Sequence, residues 1–344
     1  MQNPLPDEVL GYVKDVLGWQ GPLTVQQFPS GYSNWTYGLE GEQQNWVLRR
    51  PPAGAKVVAG HDMAREFKVI QALHQKGFPV PRPIGLQADS ERFGFSFFVM
   101  ERVEGVILRP DHPSLKTLNA ESFQALNRAF VQSLAHLHQP SPDHWGLADL
   151  GKGAGYVERQ ISGWGNRYQK AQTDDIPAMK RCFVWLAKQA PPEQGPSLIH
   201  NDYKYDNLVY EPDRLGQIRA VLDWEMATIG CPLMDLGCSL GYWCEPSDPP
   251  EMRVLNWTYR PGNWTREQVW SAYFKETGKP EVDPVFYLVF GLVRIGVIAQ
   301  QIYARYKSGL TQDPRFATLI HAIRACAALA ERAIAQGRIS DLAA

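Results

Sequence analysis

The sequence predicts an α+β fold with two lobes, a small β-rich lobe followed by a larger, mostly helical one. The chain has 344 residues, which suggests two lobes at ~100–200 residues per domain. Strand-like runs dominate roughly the first hundred residues, and helical periodicity dominates the rest. Strands and helices that are segregated along a chain in this way are typical of α+β proteins.

Composition excludes several classes of protein. With 35 basic and 36 acidic residues, the net charge is −1, and there is no charge excess for binding nucleic acid or an anionic membrane. The five cysteines form no Cys-x-x-Cys pair and have no histidine at zinc-ligand spacing, which argues against a disulfide framework or a structural zinc. The N-terminal segment has acidic residues and no long apolar core, unlike a signal peptide. We expect a cytoplasmic protein with reduced thiols, and the sequence indicates no oligomeric state.

The elements of the β-rich lobe follow from short apolar runs between polar turns. Strands or extended segments are predicted over residues 23–28, 36–39, 46–49, 80–83 and 95–100. A helix is predicted over 61–76, because Phe67, Ile70 and Leu73 share one face, and Gly77 ends it. Residues 101–105 form a connector to the second lobe.

The second lobe alternates long helical segments with three short β-like runs. Helices are predicted over residues 121–137, 155–170, 178–189 and 314–336. Short strands are predicted over 197–200, 208–210 and 218–222. The apolar segment 284–304 is interrupted by Arg294, and its uninterrupted apolar run is shorter than the ~20 residues that a membrane span needs. It is therefore predicted to be a buried core helix, and no membrane partner is expected.

The pattern with the most chemical content is a loop carboxylate followed five positions later by a carboxamide. Asp202 and Asn207 lie between two short apolar runs, and Asp223 directly follows a third. In phosphoryl transfer an aspartate accepts the proton of the acceptor hydroxyl, and an asparagine and a second aspartate hold Mg²⁺. Each of these residues alone is more often a turn former, but their joint spacing favours a catalytic site.

Around these residues the chain resembles the aminoglycoside phosphotransferase and choline kinase superfamily. The two family motifs correspond here to residues 200–207 and 222–225. The resemblance runs from about residue 22 to about residue 338. Segments 32–37, 47–52, 155–161 and 227–237 favour the branch related to the kinase-like domain of acyl-CoA-dehydrogenase fusion proteins.

This resemblance implies a bilobal, protein-kinase-like fold that uses ATP and Mg²⁺. A nucleotide-binding lobe would cover residues 1–103, a hinge would lie at about 99–105, and a helical lobe with the acceptor site would cover 104–344. Asp202 would be the catalytic base, and Asn207 and Asp223 would bind the metal. The residues expected to contact the nucleotide, directly or through a neighbour, are Ser33, Arg49, Glu66, Met100, Glu101 and Val103. Asp235 would hold the catalytic loop in place.

Three departures from the family pattern affect this site. Asn201 replaces the usual glycine, and asparagine tolerates positive φ better than most residues. The strand lysine that binds phosphate is absent, so Arg49, paired with Glu66, is expected to supply the cation, with Arg50 as the alternative. The loop over residues 30–34 has a single glycine, and there the Ser33 hydroxyl and backbone amides would bind phosphate.

The expected activity is phosphorylation of a hydroxyl on a small molecule. The branch resemblance suggests an anionic acceptor, such as a hydroxyacyl-CoA or a hydroxy acid, and the preference between ATP and GTP stays open. Two alternatives are a nucleotide-binding pseudokinase scaffold, suggested by the missing lysine, and an aminoglycoside kinase. The segment 241–270 is rich in tryptophan and arginine and would either line the acceptor site or pack between helices, and packing is favoured for most of its aromatic residues.

Overall fold

The structure is a computed structural model that describes residues 4–28, 34–52 and 61–343. In this part of the chain an antiparallel sheet forms the N-terminal lobe. Its strands are β1 (Thr24–Gln27), β2 (Trp35–Glu40), β3 (Asn45–Arg50), β4 (Pro83–Gln87) and β5 (Phe97–Glu101). Their order across the sheet is β1-β2-β3-β5-β4. Three helices accompany them, α1 (Asp7–Leu17), α2 (Met63–Gln75) and α3 (Ser90–Phe93).

The two faces of this sheet have different neighbours, because side chains alternate along a strand. Trp46 and Leu48 of β3 share an apolar cluster with residues of α1, such as Val13. Val47, between them, belongs to the main core with Phe67 of α2. The face that carries Val47 and its alternate neighbours is therefore directed towards the rest of the protein.

The remaining described residues form a mostly helical lobe. Its helices are α4 (Ala120–His138), α5 (Tyr156–Ala171), α6 (Pro177–Lys188), α7 (Pro232–Tyr242), α8 (Arg266–Thr277), α9 (Val285–Lys307) and α10 (Leu319–Gln336). Its strands are β6 (Ser197–Ile199), β7 (Leu208–Glu211), β8 (Arg214–Val221) and β9 (Thr228–Gly230). These strands make two antiparallel pairs, β6 with β9 and β7 with β8. The predicted α+β class is confirmed.

Several elements differ from the prediction. Helix α1 and strand β9 were not predicted. The extended segment predicted at 80–83 overlaps strand β4 only at Pro83, where that strand begins. The predicted helix over 314–336 begins as a 3₁₀ turn, Pro314–Thr318, in which Asp313 caps the amide of Arg315. Tight turns of this kind are common where an α-helix begins.

Helix α9 has the length and apolar composition of a membrane span, but 78% of its most apolar window is buried inside the protein. It packs against α7 at very short range. A Cβ at Gly291 would overlap the carbonyl oxygen of Gly237, and a Cβ at Gly241 would lie 2.8 Å from the carbonyl carbon of Gly291. The prediction that this segment is a core helix agrees with its burial.

Candidate active site

The loop that follows β6 is fixed by a buried carboxylate. Asp235, at the start of α7, is fully buried and accepts hydrogen bonds from the amides of His200 and Asn201, each at 2.7 Å. The same carboxylate lies 3.1 Å from Nε2 of His138. Burial alone would raise the pKa of Asp235, but these neighbours hold it below its ordinary value. Asp235 thus ties down the loop, as predicted.

The first two residues of the loop are held from both sides. His200 contacts the carbonyl oxygen of Leu222 through Nε2 at 2.9 Å. Asn201 has φ of 65°, in the left-handed region that usually favours glycine. Its side-chain amide donates to the carbonyl oxygen of Met226 at 3.1 Å, and its Oδ1 accepts from the Tyr156 hydroxyl at 3.2 Å. The asparagine therefore keeps the glycine-like backbone and adds two side-chain anchors.

Asp202 follows with its carboxylate between two donors. Lys204 Nζ lies 2.8 Å and Asn207 Nδ2 lies 3.1 Å from its Oδ2. Burial alone would raise the pKa of Asp202, but the ammonium group of Lys204, together with the nearby Arg294 and His200, lowers it. The carboxylate is ionised at neutral pH and has the charge state that a proton acceptor requires.

Lys204 was not among the predicted site residues. Its position two residues after Asp202 was the available signal, since both side chains then leave the same side of an extended loop. Lys204 also lies 4.7 Å from the ring centroid of Tyr242 on α7. It supplies a cation directly beside the candidate base.

The hairpin of β7 and β8 brings Asn207 and Asp223 together. Leu208 pairs with Val221, and the amide of Leu222 donates to the carbonyl oxygen of Asn207 at 2.8 Å. Asn207 Nδ2 donates to the backbone oxygen of Asp202 at 2.8 Å, which leaves its Oδ1 as the group able to bind a cation. Asp223 lies two residues after the end of β8 and has φ of 68°.

This donor set has the chemistry of a magnesium site. One carboxylate and one amide oxygen are hard ligands, and Mg²⁺ is usually held by one or two carboxylates together with substrate phosphates. Within the described ranges, no group of three or more His, Cys, Asp or Glu side chains is arranged to hold a metal ion. Asn207 and Asp223 therefore fit a metal that arrives with a nucleotide.

Arg49 of β3 is surrounded by carboxylates. Its Nε lies 3.0 Å from Glu66, and its Nη2 lies 2.5 Å from Asp223 and 2.7 Å from Glu225. The predicted contact between Arg49 and Glu66 is present. Burial raises the pKa of Glu66 to about 8, with Asp223 and Glu225 adding to the rise and Arg49 opposing it. Burial would lower the pKa of Arg49, but the carboxylates raise it well above its ordinary value.

Arg50, the alternative cation, lies on the opposite face of β3. Its guanidinium carbon is 4.1 Å from the ring centroid of Phe95 and 4.5 Å from that of Trp35. The alternation of side chains along the strand separates the two arginines. Of the two, only Arg49 contacts Asp223.

The other residues predicted to contact the nucleotide lie along β5 and after it. Met100 is 9% exposed, and Glu101 ends β5 with its amide bonded to the carbonyl oxygen of Arg82 at 2.9 Å. Val103 follows in the irregular connector. Ser33 and the loop residues before it lie outside the described residues. The roles given to these positions stay predictions.

The aromatic segment 241–270 packs mainly inside the helical lobe. Trp243, Trp257 and Trp270 are each no more than 1% exposed. The indole of Trp257 donates to the carbonyl oxygen of Leu108 at 2.7 Å. These three tryptophans pack between elements, as favoured from the sequence.

Comparison with known proteins agrees with this geometry. Residues 24–270 match the phosphotransferase enzyme family. The chain belongs to this family. Acyl-CoA dehydrogenase family member 11 of Homo sapiens is 37% identical over 293 residues, which are 84% of this chain and 37% of that protein. The resemblance to the kinase-like region of such proteins is confirmed, and this phosphotransferase spans little more than a third of that relative's length.

Solved structures show the same kinase-like fold. A protein from Ralstonia eutropha described as a candidate aminoglycoside phosphotransferase superposes with a TM-score of 0.79 at 31% identity, over 94% of this chain and 96% of that one. An aminoglycoside phosphotransferase in ternary complex with AMP-PNP and hygromycin B gives a TM-score of 0.60 at 16% identity, over 95% of this chain and 98% of that one. The predicted bilobal kinase-like architecture is confirmed.

Proposed function

We propose that this phosphotransferase moves the γ-phosphoryl group of ATP to a hydroxyl of a small molecule, with a hydroxy acid or a hydroxyacyl-CoA as acceptor. The observation that supports this most is the convergence of Asp202, Asn207 and Asp223 at one place. Asn207 contacts the carboxylate of Asp202 at 3.1 Å, and its backbone is bonded to Leu222, the neighbour of Asp223. A pseudokinase scaffold would have no need of all three groups.

Asp202 takes the proton of the acceptor hydroxyl in this proposal. As the hydroxyl oxygen forms its bond to the γ-phosphorus, the bond from that phosphorus to the β–γ bridging oxygen breaks. The electron pair of the broken bond leaves with ADP, and the proton goes to Asp202. Lys204, which is 2.8 Å from this carboxylate, offers its charge to the transferring group.

Arg49 is the phosphate-binding cation of the proposal, and Glu66 orients it. A guanidinium can bind two phosphate oxygens at once, so arginine can replace lysine here. Mg²⁺, held by Asn207 and Asp223, would neutralise the charge that develops on the phosphates. Backbone groups at Met100, Glu101 and Val103 would contact the base of the nucleotide.

The nucleotide and the acceptor are assigned to different parts of the chain. Residues 1–103 would bind the nucleotide, residues 104–344 would bind the acceptor, and the segment at about 99–105 would act as the hinge. The protein solved with AMP-PNP and hygromycin B shares this fold, which supports a nucleotide in the cleft. An aminoglycoside is polycationic, and the cations Lys204 and Arg294 near Asp202 disfavour it as the acceptor.

The deciding experiment is an acceptor screen followed by removal of the base. Aminoglycosides, amino alcohols, hydroxy acids and hydroxyacyl thioesters would be tested for ATP-dependent phosphorylation by ³¹P NMR. With an acceptor found, Asp202→Asn should lower kcat by about 10²- to 10⁴-fold, since a positioned general base contributes this much. The exposed Asp213→Asn in the turn between β7 and β8 is the control. Full turnover by Asp202→Asn, or no phosphorylation of any acceptor, would overturn the proposal.

A further inference from the structure

Arg294 is a buried arginine that forms no ion pair with a carboxylate among the described residues. It lies on α9 and is only 2% exposed. Within the described residues no ion pair joins it to a carboxylate, and its Nη1 makes no hydrogen bond. A buried charge without a partner is costly, so proteins seldom keep one that has no use.

The surroundings of Arg294 connect it to the candidate base. Its guanidinium carbon lies 5.2 Å from the ring centroid of Trp164 on α5. Cys238 and Tyr242 of α7 are also beside it. After burial and Lys204, the charge of Arg294 is a further influence on the pKa of Asp202. The charge of Arg294 therefore acts on the candidate base from within the helical lobe.

The glycine contact between α7 and α9 accounts for this placement. Gly291 meets Gly237 backbone to backbone. Arg294 comes three residues later, nearly one helical turn along the same face. This close approach puts its guanidinium beside Cys238 and Tyr242 rather than in solvent.

Arg294 is not needed to neutralise the base. Asp202 already has Lys204 at 2.8 Å and Asn207 at 3.1 Å. A second cation stands nearby, since the guanidinium carbon of Arg167 lies 4.5 Å from the ring centroid of Trp164. Lys204 therefore already supplies a cation to Asp202, and the charge of Arg294 is available for another role.

We propose that Arg294 determines acceptor specificity by binding an acyl oxygen of the acceptor and thereby directing its hydroxyl to Asp202. The acyl oxygen is ionised in a free hydroxy acid and neutral in a thioester, and both present it to a guanidinium as a hydrogen-bond acceptor. This inference rests on the proposed kinase function and adds the residue that recognises the acceptor.

The test compares acceptors with and without the acyl oxygen. Hydroxy acids, their CoA thioesters and the matching diols would be assayed with the wild type, Arg294→Gln, Arg294→Lys and the exposed control Arg324→Gln. Arg294→Gln should raise the KM for acyl acceptors at least ~30-fold. The KM for ATP and the turnover of diols should not change, and Arg294→Lys should recover part of the loss. Comparison of the wild-type KM for the hydroxy acid with that for its CoA thioester shows which of the two is the preferred acceptor, since the lower KM marks the preferred one.

Two results would overturn the assignment. One is an equal loss for diols and acids, and the other is a matching rise in the KM for ATP. Arg294→Met gives an independent check on folding, because removal of an unpaired buried charge should leave Tm unchanged or raised. A large fall in Tm would mean that Arg294 is structural.

The assignment can also fail separately from the proposed function. Calorimetric titration of hydroxy acids into the nucleotide-free protein measures acceptor binding without turnover. Binding that weakens in Arg294→Gln supports the assignment, and binding that is unchanged contradicts it. If the wild type binds hydroxy acids but phosphorylates nothing, the kinase proposal fails, and the assignment of Arg294 as the residue that binds the acceptor is kept.

Discussion

Two arginines, one in each lobe, have contrasting surroundings. Arg49, in the N-terminal lobe, makes ion pairs with Glu66, Asp223 and Glu225. Arg294, in the helical lobe, pairs with no carboxylate in the part of the chain that the structure describes, and its Nη1 lacks a hydrogen bond. Among the described residues, three acidic side chains thus surround the guanidinium of Arg49, and none pairs with that of Arg294.

This contrast indicates what each side is built to receive. Carboxylates close together favour the entry of a divalent cation, and a guanidinium with no carboxylate beside it favours an anion or an acyl oxygen. A metal–nucleotide complex suits the first side, because the metal would take up Asp223 and free Arg49 for phosphate. The three predictions that follow test the contrast, from the largest expected effect to the smallest.

The largest effect concerns folding stability. Arg49→Met removes the guanidinium that contacts Glu66, Asp223 and Glu225 and should lower the free energy of unfolding by about 3 kcal/mol or more. Arg294→Met breaks no ion pair and should not lower it. Urea denaturation of both variants measures the difference. Equal losses in the two variants would remove the contrast between the arginines.

The second effect concerns nucleotide affinity. Arg49→Ala should weaken the binding of MgATP by about 10- to 100-fold, since a charge-assisted bond to phosphate contributes about 1.5–3 kcal/mol. Arg50→Ala should change it less than about threefold, because Arg50 stacks on Trp35 and Phe95 on the other face of the strand. Isothermal titration calorimetry, at a temperature where circular dichroism shows each variant folded, gives both constants. The reverse order would move the phosphate contact to Arg50.

The smallest effect concerns the loop after β6, which contains Asn201 and the candidate base. Asn201→Ala and Asn201→Gly both remove the bonds to Met226 and Tyr156. Only the alanine variant keeps a Cβ at φ of 65°, so it should be less stable than the glycine variant by about 1 kcal/mol. Equilibrium unfolding in urea compares them. An alanine variant as stable as the glycine variant would mean that the loop relaxes out of its left-handed conformation.

The candidate site could be predicted largely because its signals are local. The spacing of Asp202 and Asn207 places both on one short loop. The alternation along β3 separates Arg49 from Arg50. Both inferences depend on neighbours within a few positions, whereas the pairing of Glu66 with Arg49 was implied by the family resemblance.

The remaining features depend on contacts between distant parts of the chain. Glu225 reaches Arg49 across 176 positions of sequence. Strand β9 is only three residues long and is defined by its pairing with β6, so its own sequence carries little strand propensity that could predict it. Arg294 was noted as an interruption of an apolar run, but its lack of a partner is visible only once the helices are packed. Long-range packing of this kind leaves no local pattern in a sequence.

Helix α7 contributes to two parts of the candidate site. Its first turn holds Asp235, which fixes the backbone that presents the base, and its later turns supply Cys238 and Tyr242 beside Arg294. Gly237 and Gly291 leave no space for even a methyl group, so the close contact between α7 and α9 requires glycine at both positions. A new acceptor would therefore have to be accommodated by exchanging side chains along the contact between α7 and α9, with the spacing of these two helices unchanged.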